Sequence, residues 1–184
     1  MTRWAFLPLA LLPGAAGFAA ASLCPMRKDD GVAVPFRPPR WFFAAVWPVL
    51  YLAFGIAWFL AASDRADRAG RTASTAAVLL VSVPYALCTA LLTAWIPVRA
   101  PLCRGGQPRS GDDLKSRDKL KRKWSFWILL AAAASAAFCV ALQGQPAASR
   151  LLSLLLLCWL CVAVLMSAWE FTAPEYRVDS PVRS

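Results

Sequence analysis

Five long stretches of this chain carry no charge, and that constrains its fold more than any other feature. No Asp, Glu, Lys or Arg occurs in residues 4–23, 41–63, 72–98, 124–149 or 151–169. Each run is close to or above the roughly 20 residues a helix needs to cross the hydrocarbon core of a bilayer. Backbone polar groups inside lipid must be satisfied within the segment itself, so each run reads as a helix. Composition agrees: 59% of residues are apolar and 16% charged, against about 45–50% and about 25% in soluble domains. The fold class is therefore all-α, an integral membrane bundle of five transmembrane helices. They are expected at about 4–23, 41–63, 74–98, 124–145 and 151–170, with a basic loop at 99–123 and a tail at 171–184. What is left over is too little for a separate water-soluble core, so residues 1–184 read as one membrane domain.

The first run has a second reading. Arg3, an apolar stretch and then Ala19, Ala20, Ala21 and Ser22 also fit a signal peptide ending in a small-residue cleavage site, although the run is long for a signal core.

The net charge of +10 follows the same geometry. Five of the twenty Lys and Arg residues (Arg3, Arg65, Arg68, Arg71 and Arg150) fall on the face that holds the N-terminus, here the amino face. The other fifteen fall on the opposite, carboxyl face. Positive residues concentrate on the cytosolic side of membrane proteins, which predicts an external or lumenal N-terminus and a cytosolic C-terminus. The basic run at 115–123 reads first as such a topogenic stop and second as a patch for anionic lipid headgroups. Nothing in it resembles a nucleic-acid recognition module, and no nucleic-acid partner is expected.

Four of the six cysteines, Cys88, Cys139, Cys158 and Cys161, lie inside the apolar runs, where a thiol acts as a small apolar residue. The C-x-x-C of Cys158 and Cys161 sits in a leucine-rich helix and reads as core packing rather than a redox or zinc motif. Cys24 and Cys103 fall on the predicted cytosolic face, where thiols are expected to stay reduced. The chain contains no histidine, so the commonest metal ligand and general base are missing. No metal site, catalytic residue or required cofactor is expected.

The most informative segment is 35–57. Pro38 and Pro39 make a rigid lead-in suited to a helix start, and Trp41 follows at the height of the membrane interface. Phe43, Trp47, Tyr51, Gly55 and Trp58 then recur at spacings of four, four, four and three, which places them on one helical face. Such a face packs on neighbouring helices or lines a slot for a flat apolar ligand.

This segment resembles the tryptophan-rich sensory protein / translocator protein family (TspO/MBR). Pro38, Pro39, Trp41, Val46, Trp47, Leu50, Tyr51 and Gly55 fall in register with its pattern, to within one position at the glycine. Ala44 and Ala45 replace its Gly-Pro. Fainter likenesses run through the rest: the glycine-rich stretch around Gly14 and Gly17, Tyr85, the Ala94–Trp95–Ile96–Pro97 ending, Trp124, and Trp159 with Ala163. The departures are mostly polar. Leu92, Ile128 and Met166–Ser167–Ala168 stand where the family carries an asparagine, an aspartate and L-N-Y. The sterol motif fails, because no Leu or Val lies within five residues before Tyr176.

The resemblance implies a five-helix fold with a retained first helix. It also implies a receptor- or translocator-like protein binding a porphyrin or sterol through Trp47, Tyr51, Trp95, Trp124, Trp159 and Ala163. The bland alternative for each aromatic is interface anchoring or helix packing. Two other functions are carried forward: light-dependent porphyrin breakdown, and a regulatory membrane protein that has lost its ligand. The partners expected are the bilayer, a hydrophobic small molecule and a homodimer partner, the last through Gly14, Ala15 and Gly17. Glu170 reads as an interfacial acid. The membrane implied is outer mitochondrial or another endomembrane in a eukaryote, and the cell envelope in a bacterium.

Overall fold

The structure, a computed structural model, describes residues 3–24, 36–99 and 111–172. A short 3-10 turn, Arg3–Phe6, leads into α1, Leu7–Leu23. Helical backbone then runs from Arg40–Arg99 and carries two membrane-length spans, Trp41–Ala69 (α2) and Thr75–Arg99 (α3). These spans lie antiparallel: the Trp47 ring meets Trp95 and the Phe54 ring meets Tyr85. Two further helices follow, α4 at Gly111–Ala141 and α5 at Ala147–Thr172. Among the described residues, four of the five are long and apolar enough to cross a membrane, and α1 is a shorter apolar helix. The five-helix membrane bundle is thus as the charge pattern implies.

Helix boundaries differ from the sequence reading wherever charge was taken as the end of a helix. α4 begins at Gly111 rather than Trp124, so the basic run is largely helix and not loop. Its Lys, Arg and Leu residues are strong helix formers. α2 likewise continues to Ala69, past the expected end at 63. There Arg68 pairs with Asp64 one turn back at 3.0 Å, a spacing that supports helix. Charges projecting beyond the bilayer do not stop a helix; they only mark where it leaves the hydrocarbon.

The interior is built of small residues and a few large rings. Ala57, Ala61, Ala62, Ala132, Ala136 and Ala163 are buried with Phe54, Tyr85, Leu92, Leu129, Leu156 and Leu160. Large aliphatics such as Leu11, Val49, Leu80, Leu151 and Leu165 face outward. Lipid is as apolar as leucine, so helix association relies on close approach and internal hydrogen bonds. α1 shows the close approach at its sharpest. A Cβ added to Gly55 would overlap the Ala10 carbonyl oxygen, and one at Gly17 would lie 2.6 Å from the Tyr51 ring. Gly17 is therefore occupied inside the bundle instead of serving a dimer stripe, whereas Gly14 meets nothing within 4 Å.

The internal hydrogen bonds concentrate in the half nearer the amino face. The Tyr85 hydroxyl lies 3.0 Å from Gln145 Oε1, 3.0 Å from Ser149 Oγ and 3.2 Å from Ser153 Oγ. Ser149 also donates to the Ala57 carbonyl at 2.9 Å, which ties α5 to α2. Trp58 stacks on Tyr85 with ring centroids 6.0 Å apart. On the rim of that face, Arg65 donates to the Gln143 carbonyl and Arg150 to that of Leu142. Together they hold the α4–α5 turn, where Gly144 takes a positive φ of 74°.

The cysteines correct two expectations. Cys158 and Cys161 are exposed on the outer surface of α5, not packed in the core, while Cys88 and Cys139 are buried free thiols. Cys24 is disulfide-bonded rather than reduced. Cys103 lies outside the described residues.

Candidate functional site

The half of the bundle nearer the carboxyl face has a different character. α2 enters there, α3 and α5 end there, and their aromatic residues converge. Trp47 is the hub. Its ring centroid lies 5.5 Å from Tyr51, 6.3 Å from Trp95 and 6.3 Å from Trp159. Tyr51 and Trp95 are each tilted 31° from Trp47, and Trp159 stands at 88° to it. Phe42 and Phe43 close the far side against Trp159 at 5.7 and 5.6 Å. The four-residue spacing on α2 explains half of this arrangement, since Phe43, Trp47 and Tyr51 stack up one face. The rest requires the fold, which runs α3 and α5 alongside.

Of the six ligand-site residues expected from sequence, Trp47, Tyr51, Trp95 and Trp159 stand together. Ala163, one turn beyond Trp159, is buried in the same core. Trp124 is not part of the cluster: it is 56% exposed on the outer side of α4. Its neighbour Ser125 faces inward and accepts a hydrogen bond from Trp95 Nε1 at 2.6 Å. One residue is about 100° of helix, enough to exchange the lipid face for the interior. Of the expected framework residues, Gly55 sits at the α1–α2 crossing, and Trp41 is exposed with its ring edge-on to Phe42.

Two polar atoms in this half are buried without a hydrogen-bond partner, Trp159 Nε1 and Ser167 Oγ. Buried polar groups normally find partners, and each orphan calls for a reason. Both lie on α5, on the side of the bundle where the aromatic cluster stands. The cluster thus combines rings packed on one another with two buried polar atoms that lack partners.

Immediately past the rings lies an ionic cluster that sequence reasoning did not foresee. Glu170, read as interfacial, is in fact buried with its side chain 4% exposed. Arg99 donates to it twice, from Nη1 to Oε2 at 2.6 Å and from Nη2 to Oε1 at 3.2 Å. Arg37 donates to it from the lead-in before the double proline. The Phe36 ring meets Trp169 edge-on at 6.0 Å in the same place. An open apolar groove of about 520 Å³, lined by Phe36, Leu165, Ala168, Trp169 and Thr172, runs beside it on the outer surface. The available signal was register: Arg99 follows Trp95 by four residues, and Glu170 follows Ser167 by three.

Comparison with known families gives one match. The model of the TspO/MBR family covers residues 4–104, just over half of the chain. That span contains α1, α2 and α3, and with them Trp47, Tyr51, Trp95 and the Gly55 crossing. No curated protein and no solved structure matches the chain.

Proposed function

Because the chain belongs to the TspO/MBR family, we propose that this integral membrane protein binds a flat hydrophobic ligand of the porphyrin or sterol class between its helices. The observation that carries this reading is the convergence of Tyr51, Trp95 and Trp159 on Trp47 from three helices. Aromatic pairs favour offset or edge-on contact, and the two tilted rings and one perpendicular ring are the arrangement a planar guest would enter by parting them. Tyr51 is braced from behind by Gly17, and Trp95 is held by Ser125. The buried Trp159 N–H and Ser167 hydroxyl would complete their hydrogen bonds on the guest. In the cell the protein would act as a receptor or translocator.

The test is a titration of the purified, detergent-solubilised protein with protoporphyrin IX, read by quenching of tryptophan fluorescence, with a sterol as competitor. Saturable quenching, weakened by Trp159→Ala, supports the reading. Linear, non-saturable quenching contradicts it and favours a regulatory protein whose aromatic cluster only packs helices. The close contact of three tryptophans also suits photochemistry on a bound porphyrin. New product under illumination and none in the dark would add that activity; an unchanged absorption spectrum after illumination would remove it.

A further inference from the structure

The half of the bundle nearer the amino face holds a polar cluster that the aromatic site does not use. Gln145, Ser149 and Ser153 follow one another at spacings of four, so the start of α5 and the turn before it carry one polar stripe. All three meet the Tyr85 hydroxyl, at 3.0, 3.0 and 3.2 Å. A hydroxyl has a single proton to give. Every hydroxyl proton is placed when Ser153 donates to Tyr85, Tyr85 to Gln145 Oε1, and Ser149 to the Ala57 carbonyl.

Two N–H groups beside this network are not served by it. Trp58 Nε1 and Gln145 Nε2 are buried and have no hydrogen-bond partner among the described residues. Trp58 is 4% exposed and Gln145 9%. Both side chains touch Tyr85: the Trp58 ring stacks on it at 14° with centroids 6.0 Å apart, and Gln145 takes its proton. Donors buried without acceptors are costly, and two of them around one tyrosine call for an occupant that supplies lone pairs. That occupant is uncharged. Tyr85, Gln145, Ser149 and Ser153 are neutral, and Arg65 and Arg150 at the rim already donate to the Gln143 and Leu142 carbonyls. An anion buried there would lack a counter-charge, and a cation would meet only donors. Trp58 lies eleven residues past Trp47 on α2, hence about 16 Å further along the helix. The cluster is therefore separate from the aromatic site and independent of any role given to it.

We propose that Trp58 and Gln145 form a second binding site, one that takes the carbonyl or hydroxyl oxygen of a small apolar molecule. The oxygen accepts from Trp58 Nε1 and from Gln145 Nε2. Water supplies the same lone pairs when no such molecule is bound.

The experiment labels the tryptophan indole and glutamine amide nitrogens of the full chain with nitrogen-15 and reads their N–H resonances in detergent. Trp58→Phe and Gln145→Leu assign the two signals. The probe is cyclohexanone, with methylcyclohexane as a hydrocarbon of similar size. Cyclohexanone should shift both resonances saturably, and methylcyclohexane should shift neither. Trp58→Phe keeps a ring on Tyr85 and removes one donor. Ketone affinity read at Gln145 should then fall roughly two- to tenfold, the worth of one hydrogen bond. Gln145→Leu, read at Trp58, should do the same. Unmoved resonances of the other tryptophans show that the variants are folded. Before ketone is added, magnetisation transfer from water to the Trp58 N–H identifies water as the occupant. A hydrogen-bonded N–H without that transfer identifies a co-purified molecule, and either result supports the site. No saturable shift with cyclohexanone, an equal response to the hydrocarbon, or unaltered ketone affinity in both variants would each overturn the proposal. Should neither variant fold, the ketone-against-hydrocarbon comparison in the unaltered chain decides it.

Discussion

Replacing Gly55 with alanine separates two physical effects that act in opposite directions. Inside a helix, alanine is favoured over glycine by roughly 0.5–1 kcal/mol. If helix propensity decided the outcome, Gly55→Ala would stabilise the protein. The added Cβ, however, would overlap the Ala10 carbonyl oxygen. That atom is backbone of α1 and cannot rotate aside like the end of a side chain. To admit one methyl group the whole of α1 must move away, loosening Gly17 against Tyr51 and the aromatic cluster beyond. Overpacking of this kind costs about 1–3 kcal/mol even where side chains can adjust, so the net effect should be a loss of about 1–2 kcal/mol. In a chain of this length that corresponds to a melting temperature lower by about 2–8 °C. The internal control is Gly14→Ala, since a Cβ there meets nothing within 4 Å; it should be neutral or slightly stabilising. Thermal unfolding in detergent, followed by tryptophan fluorescence, reads both. If Gly55→Ala melts at or above the unaltered protein, the α1–α2 crossing described here is wrong.

Two further outcomes follow from the polar groups. Tyr85→Phe removes the hydroxyl shared by Gln145, Ser149 and Ser153. It should lower stability by about 1–2 kcal/mol, because the groups left behind are buried; an unchanged unfolding curve would contradict the network. Thiol labelling of the denatured chain should leave Cys24 unmodified until a reductant is added, since it is disulfide-bonded, while Cys158 and Cys161 react without one. Reaction of Cys24 without reductant would refute the bond.

The fold was legible because it follows from a pattern spread over the whole chain. Five uncharged runs mean five helices in lipid, whatever their individual residues. Helix ends were less legible, as Asp64 to Ala69 and the run at 115–123 show, because charged residues are good helix formers outside the membrane. The α2 face of the site could be read from a four-residue spacing, and Trp95 and Trp159 from the family resemblance. Which residue of a helix points inward could not be read where lipid and core are equally apolar. Trp124 and Ser125 exchange roles for that reason, and Cys158 and Cys161 face outward. Arg37, Arg99 and Glu170 are separated by 62 and 71 positions in the sequence. No local pattern brings them together; only the meeting of the α2 lead-in with the ends of α3 and α5 does.

Under the proposed function, the rings around Trp47 are a binding site and not merely packing. The most direct test is to titrate protoporphyrin IX into Trp47→Ala and Trp124→Ala side by side. Trp47 is the hub of the cluster, whereas Trp124 is exposed on the outer side of α4. Loss of one stacked ring should weaken affinity about tenfold. Trp47→Ala should show that weakening, and Trp124→Ala should bind with unaltered affinity. Equal affinities in the two variants, or a larger loss at Trp124, would contradict it.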